Sequence, residues 1–258
     1  MLAQLLRETG YFIGSDLNDA NDCLWFTLLF KRREILVEPR RNFDRLIDLF
    51  FCRMRGARPT DEDTQRLIVS LAREVRPQHP PEWLAKRAKS FLNGDDAGLS
   101  GLWGWKCPNT HIVIERMLEV ESRLRYIHVR RNGLDMAYSA NQNQLAFWGA
   151  IFLGRDIERS PRDSLSYWCA VDRRITAIAH RFPDRVLLVD FDRFCREPVP
   201  AIHEILRFCG RAVHDAVIDR FASGVYAPES VGRFRTTPTS DLNPADIDYV
   251  AGLGYPTT

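Results

Sequence analysis

Two short strand-like runs, residues 124–130 (LRYIHVR) and 186–191 (VLLVDF), stand on either side of a long stretch of helical pattern. Strands joined by a tight turn can pair antiparallel, but strands joined through helices pair parallel, because the chain must cross back over the sheet. A third run, residues 102–106 (LWGWK), precedes them, with helices expected at residues 110–120, 133–143 and 164–181. This alternation predicts an α/β fold with a parallel sheet flanked by helices.

The part ahead of that alternation is helical. Leu2, Leu5 and Leu6 share a helix face that Gly10 ends, and residues 11–14 read as a short extended connection. Asn18 or Asn21 is placed to cap a helix through Cys23, Leu24, Phe26, Leu29 and Phe30, with further helices expected at residues 42–54, 61–76 and 81–92. Residues 93–100 read as a loop. Downstream, Pro198 opens a helix whose stripe is Ile202, Ile205, Leu206 and Phe208, and residues 215–222 form another. The tail at 226–238, rich in Gly, Pro, Ser and Arg, reads as an ordered loop or a mobile lid. No repeat or Pro-rich linker interrupts the 258 residues, so a single domain over 1–258 is expected, with a mainly helical part at 1–95 and an α/β part at 96–240.

Composition narrows the partners. Lys and Arg (36) nearly balance Asp and Glu (34), and a formal charge of +2 leaves no global footprint for nucleic acid or a membrane surface, so any anion site must be local. The six cysteines form no CxxC pair and no metal-ligand spacing, which points to reduced core thiols in a cytoplasmic protein and to no bound metal. No apolar run approaches the length of a membrane span, and Arg7 and Glu8 fall where a signal peptide would be apolar.

The chemistry concentrates in residues 125–139 (RYIHVRRNGLDMAYS), where a strand passes through a polar turn into a helix. In open parallel sheets ligands bind beyond the carboxyl ends of the strands, where Arg130 and Arg131 fall. A guanidinium fork beside a helix start suits a phosphate, and Ser139 can add a hydroxyl donor. Asp135, in the first turn, reads as a structural carboxylate favoured by the helix dipole.

Arg131, Asn132, Asp135 and Ser139, in the order R-N-x-x-D-x-x-x-S after a strand, resemble the 3′-phosphate-binding segment of sulfotransferases that use 3′-phosphoadenosine 5′-phosphosulfate. Other segments fall in that family's order: Trp105 to Pro108, Tyr167 and Trp168, residues 186–198 (VLLVDFDRFCREP), and residues 231–235 (VGRFR), similar to the late nucleotide loop. Residues 18–26 are similar to bacterial members. The resemblance implies a nucleotide-binding role for the α/β part. It gives Arg131 and Ser139 the 3′-phosphate and brings Arg233 and Arg235 onto the nucleotide from the tail. It implies sulfonate transfer to a hydroxyl or amine of a small-molecule or glycan acceptor. Phe191 stands where many relatives have Tyr.

Lys106, at the end of residues 102–106, is then the cation for charge growing on the leaving phosphate. The family's best-known cytosolic members carry a His two residues after this Lys, where Pro108 stands here; His111 is the substitute base, with Asp16, Asp19 and Glu115 as weaker candidates. His128, inside a strand, reads as a core residue. Trp103, Trp105, Phe147, Trp148 and Trp168 could line an adenine or acceptor wall, although core packing is the default for each. The family's opening strand and Gly-rich 5′-phosphosulfate loop have no counterpart, since residues 98–104 (GLSGLWG) lack the Lys-Ser/Thr pair of such a cradle. Two readings follow: Met1 is a late start, or the chain is a degenerate, non-catalytic nucleotide-binding or interaction relative. The agreement among the remaining segments favours the first.

Overall fold

The computed structural model describes residues 2–93 and 101–258. The expected loop at 93–100 therefore lies almost wholly outside the described residues. The chain divides into two compact units, residues 1–122 and 123–258.

The first unit is helical, with α1 (Leu2–Glu8), α2 (Leu24–Phe30), α3 (Arg40–Met54), α4 (Glu62–Ala72), α5 (Pro81–Asn93) and α6 (Ile114–Val120). Helix α2 is apolar except for Thr27 and every one of its residues is buried, as an all-round hydrophobic helix must be. It packs against α3, α4 and α5, and Trp25, Phe26, Phe30, Phe43, Phe50 and Phe91 are at most 1% exposed. Arg53, also at 1%, donates its Nε to the carbonyl of Phe91 at 2.8 Å and lies over the Trp25 ring, so its charge is not stranded in the core. Neither Asn18 nor Asn21 caps α2, whose N-cap is Cys23. Asn18 instead closes its own turn, its Oδ1 accepting from the N–H groups of Ala20 and Asp22. The expected strand at 102–106 is reduced to a single parallel bridge between Phe12 and Trp103.

The second unit holds β1 (Tyr126–Arg130) and β2 (Val186–Asp190), parallel and in register from Tyr126 opposite Val186 to Arg130 opposite Asp190. Between them run α7 (Gly133–Ala137), α8 (Asn143–Leu153) and α9 (Pro161–Arg181). After β2 come α10 (Phe191–Arg196), α11 (Pro198–Phe208), α12 (Asp215–Ala222) and α13 (Pro244–Gly252). The architecture is thus mixed α/β, with a small parallel sheet flanked by helices.

Local chemistry sets the boundaries. Asp190 caps α10 by accepting from the N–H of Arg193 at 2.6 Å, which ends β2 one residue before Phe191. Ser160 caps α9 ahead of Pro161, and Asn243 caps α13 ahead of Pro244. The helix expected over 133–143 stops at Ala137, because the Gln142 side chain takes over its last carbonyls, donating to Met136, Ala137 and Ser139. One core joins α7, α9 and the C-terminal segment through Leu134, Leu165, Cys169, Phe234, Leu242, Val250 and Tyr255. Gly133 permits this contact: a Cβ there would lie 2.7 Å from Trp168 and 2.9 Å from Val250.

Candidate functional site

In the second unit the site grows from the end of β1. Arg130 and Arg131 are consecutive, but their surroundings differ. Arg130 Nε is 2.6 Å from Asp172 Oδ1, and its Nη2 donates to Thr176 at 2.9 Å. Arg131 is in no salt bridge among the described residues. Its guanidinium lies 4.6 Å from the Phe191 ring, its Nη2 donates to Ser230 Oγ at 2.8 Å, and its Nε is buried without a partner. A cation held on a ring face with an unsatisfied donor has capacity left for an anion.

Ser230 belongs to the tail, which is fastened across α7. Arg233 Nε donates to the Ser230 carbonyl at 3.2 Å, and its Nη1 to the carbonyl of Tyr138 at 3.4 Å. The Asp135 carboxylate accepts from the N–H of Gly232 at 2.8 Å and of Phe234 at 3.3 Å. Tyr138 Oη donates to the Pro238 carbonyl at 2.6 Å, and Asn132 Nδ2 to that of Pro256 at 2.9 Å. Gly232 has φ of 80°, the left-handed region that favours glycine, at the entrance to a 3-10 turn over Arg233–Thr236. Phe234, 2% exposed, anchors that turn in the core.

Ser139 follows the end of α7 rather than lying inside a helix. Its Oγ accepts from the Asn141 N–H at 3.3 Å, and its O–H donates to nothing among the described residues. Arg131 and Arg233 belong to one patch built around Ser230 and the carbonyl of Tyr138, the chain neighbour of Ser139. Arg235 does not join it: exposed, it lies over Phe234 and back against Gly232. Asp192 borders the patch, 7% exposed and with Oδ1 unpartnered; burial, then the charges of Asp190 and Asp135, hold its carboxyl above the ordinary range while Arg131 pulls it down.

The residues sequence reasoning passed over here are Ser230, Tyr138 and Asp192. Only Asp192 carried a signal, as an acid directly after the strand end.

In the first unit Lys106 is paired. Its Nζ contacts Asp22 and donates to the carbonyl of Ala20 at 3.2 Å, and it stays part exposed. His111 is 3% exposed, and its Nδ1 donates to the carbonyl of Pro108 at 2.8 Å, bracing the turn before α6. Asp16 lies 3.1 Å from Arg87, and burial holds its carboxyl above the ordinary value against that charge. Trp103 and Trp105 stack on each other and pack on Phe26, Phe50 and Phe51, as core rings do. His128 Nδ1 meets Tyr126 Oη at 2.9 Å.

The sequence profile of the sulfotransferase family matches residues 36–215. This chain belongs to that family. The matched span contains Lys106, His111, Arg131 and Ser139, while Arg233 and Arg235 lie beyond it. Among solved structures this sulfotransferase-family chain is similar to the sulfotransferase domain of the olefin synthase of Synechococcus PCC 7002, at 16% identity over 81% of each chain and a TM-score of 0.47. No curated protein matches it. Among the described residues no helix is long and apolar enough to cross a membrane.

Proposed function

We propose that this chain transfers the sulfonate of 3′-phosphoadenosine 5′-phosphosulfate to a hydroxyl or amine of a small-molecule or glycan acceptor. The observation that carries the donor assignment is the junction at Ser230, where Arg131 bonds the hydroxyl and Arg233 the carbonyl, with neither guanidinium neutralised. Two adjacent cations repel unless an anion joins them, and the end of a parallel strand is where such a ligand sits in open α/β sheets. A doubly charged ribose phosphate fits: Arg131 offers a planar fork, Ser139 an O–H, and Arg233 a second cation from the tail. Arg235 reaches the nucleotide only by leaving its place over Phe234.

The donor supplies an activated sulfonate, and the chain's residues hold and neutralise it. Lys106 offsets the charge growing on the leaving phosphate, with Asp22 as its resting counter-ion. The acceptor's proton goes to a protein base. His111 is the candidate, its Nδ1–H held by the Pro108 carbonyl so that Nε2 is the basic nitrogen, and Asp16, paired with Arg87, is the weaker one. Six free cysteines support a reducing, cytoplasmic setting.

Calorimetry with adenosine 3′,5′-bisphosphate tests the donor site. Micromolar binding, much stronger than that of 5′-AMP and lost in Arg131→Ala, is expected; equal binding of the two nucleotides overturns it. Transfer of labelled sulfonate from the donor to phenolic, amine and sugar acceptors tests the reaction. Nucleotide binding without transfer to any acceptor makes the chain a non-catalytic relative.

A further inference from the structure

We propose that Asp135 is a positioning residue. Its buried carboxylate fixes the tail turn that carries Arg233, and through that turn sets the affinity of the patch for a 3′-phosphate. The affinity part rests on the donor reading above.

Asp135 sits in the first turn of α7 and is 2% exposed. A carboxylate that merely favoured the helix dipole would be satisfied by the N–H groups of its own helix or by water. Here Oδ2 takes the N–H of Gly232 and Oδ1 that of Phe234, both from a distant part of the chain. Arg233 is the residue between the two amides held. The turn is fixed from its other side by Phe234, which is packed in the same core as Leu134 of α7. Arg233 then points back along α7 to Tyr138 and Ser230. Two acceptor oxygens on one short stem are required, because the carboxamide of an Asn presents only one. Without the clasp, the turn retains its hydrophobic anchor while Arg233 samples many orientations and must be ordered again whenever an anion binds.

Asp135→Asn is the test, read by calorimetry against adenosine 3′,5′-bisphosphate and 5′-AMP in the full-length protein, with a thermal melt to confirm folding. Binding of the bisphosphate is expected to weaken about tenfold, the scale of hydrogen bonds to a charged group. Binding of 5′-AMP should not change, and Arg233→Ala should add little in the Asp135→Asn background. Equal weakening of both nucleotides, or effects of the two substitutions that multiply, overturns the proposal. Hydrogen–deuterium exchange on the unmodified protein provides a measurement free of any folding defect. The amides of Gly232 and Phe234 should exchange as slowly as those of α7, and exchange at the rate of an open loop overturns the clasp. A wild-type protein that binds no bisphosphate sinks the donor reading and the affinity part with it, while the exchange rates still decide the clasp.

Discussion

Arg130 and Asp172 form an ion pair of 2.6 Å in which the carboxylate is 3% and the guanidinium 14% exposed. Tyr249 donates its Oη to the other carboxylate oxygen at 2.8 Å, so Asp172 ties the end of β1 to α9 and α13. Removing one partner strands the other in a low-dielectric site. Asp172→Ala should lower unfolding stability by about 3–5 kcal/mol in a urea titration. Arg131→Ala, one residue along, should cost less, since its guanidinium is in no direct ion pair among the described residues.

Replacing Arg131 by Lys preserves charge but not the planar fork. Affinity for adenosine 3′,5′-bisphosphate should fall about tenfold or more on calorimetry, because an ammonium cannot bond two phosphate oxygens in parallel. Retention of full affinity in Arg131→Lys would mean that only point charge matters at this position.

Gly133→Ala should destabilise the second unit by about 1–3 kcal/mol, the range for overpacking a filled core. The added methyl would meet Trp168 at 2.7 Å and Val250 at 2.9 Å, so Trp168 must shift. Tryptophan fluorescence followed through a denaturant titration reads both the stability and the displaced ring.

Asp192 supplies a pH dependence. Its folded-state pKa is raised above the ordinary 3.8, chiefly by burial and then by Asp190 and Asp135. The folded state therefore holds this proton more tightly than the unfolded chain. That contribution is full below the unfolded value and is lost as pH rises through the raised one. Asp192→Asn should flatten the stability profile just above 3.8. It should also tighten bisphosphate binding at neutral pH, because a like charge beside the dianionic phosphate is removed. Weaker binding in this variant would show that Asp192 instead holds Arg131 in place.

Lys106→Ala should lower the rate of sulfonate transfer by about 10²–10³-fold, the cost of losing one charge-stabilising donor. Its melting temperature should hardly move, because a part-exposed ion pair contributes at most about 1 kcal/mol. A large melting shift with an unchanged rate would make the contact with Asp22 its whole role.

Residue order alone determined much of the local architecture. The runs at 124–130 and 186–191 became β1 and β2, and the helix at 215–222 kept its boundaries as α12, because strand composition and caps act over a few residues. Where the pattern carried no period, nothing could be read: α8 is apolar nearly all round, so no stripe announced it. The 102–106 run lacked a partner strand of any length, and β pairing is decided by what lies alongside. The position of Arg131 at a strand end was likewise visible in the sequence. Only the tertiary structure decided that Asp172 neutralises Arg130 and leaves Arg131 unpaired, that Asp135 clasps the tail turn, and that Arg233 rather than Arg235 meets Ser230. Those outcomes depend on hydrogen bonds and charges between segments remote in the chain, and their energies exist only once packing has brought the groups together and removed the water between them.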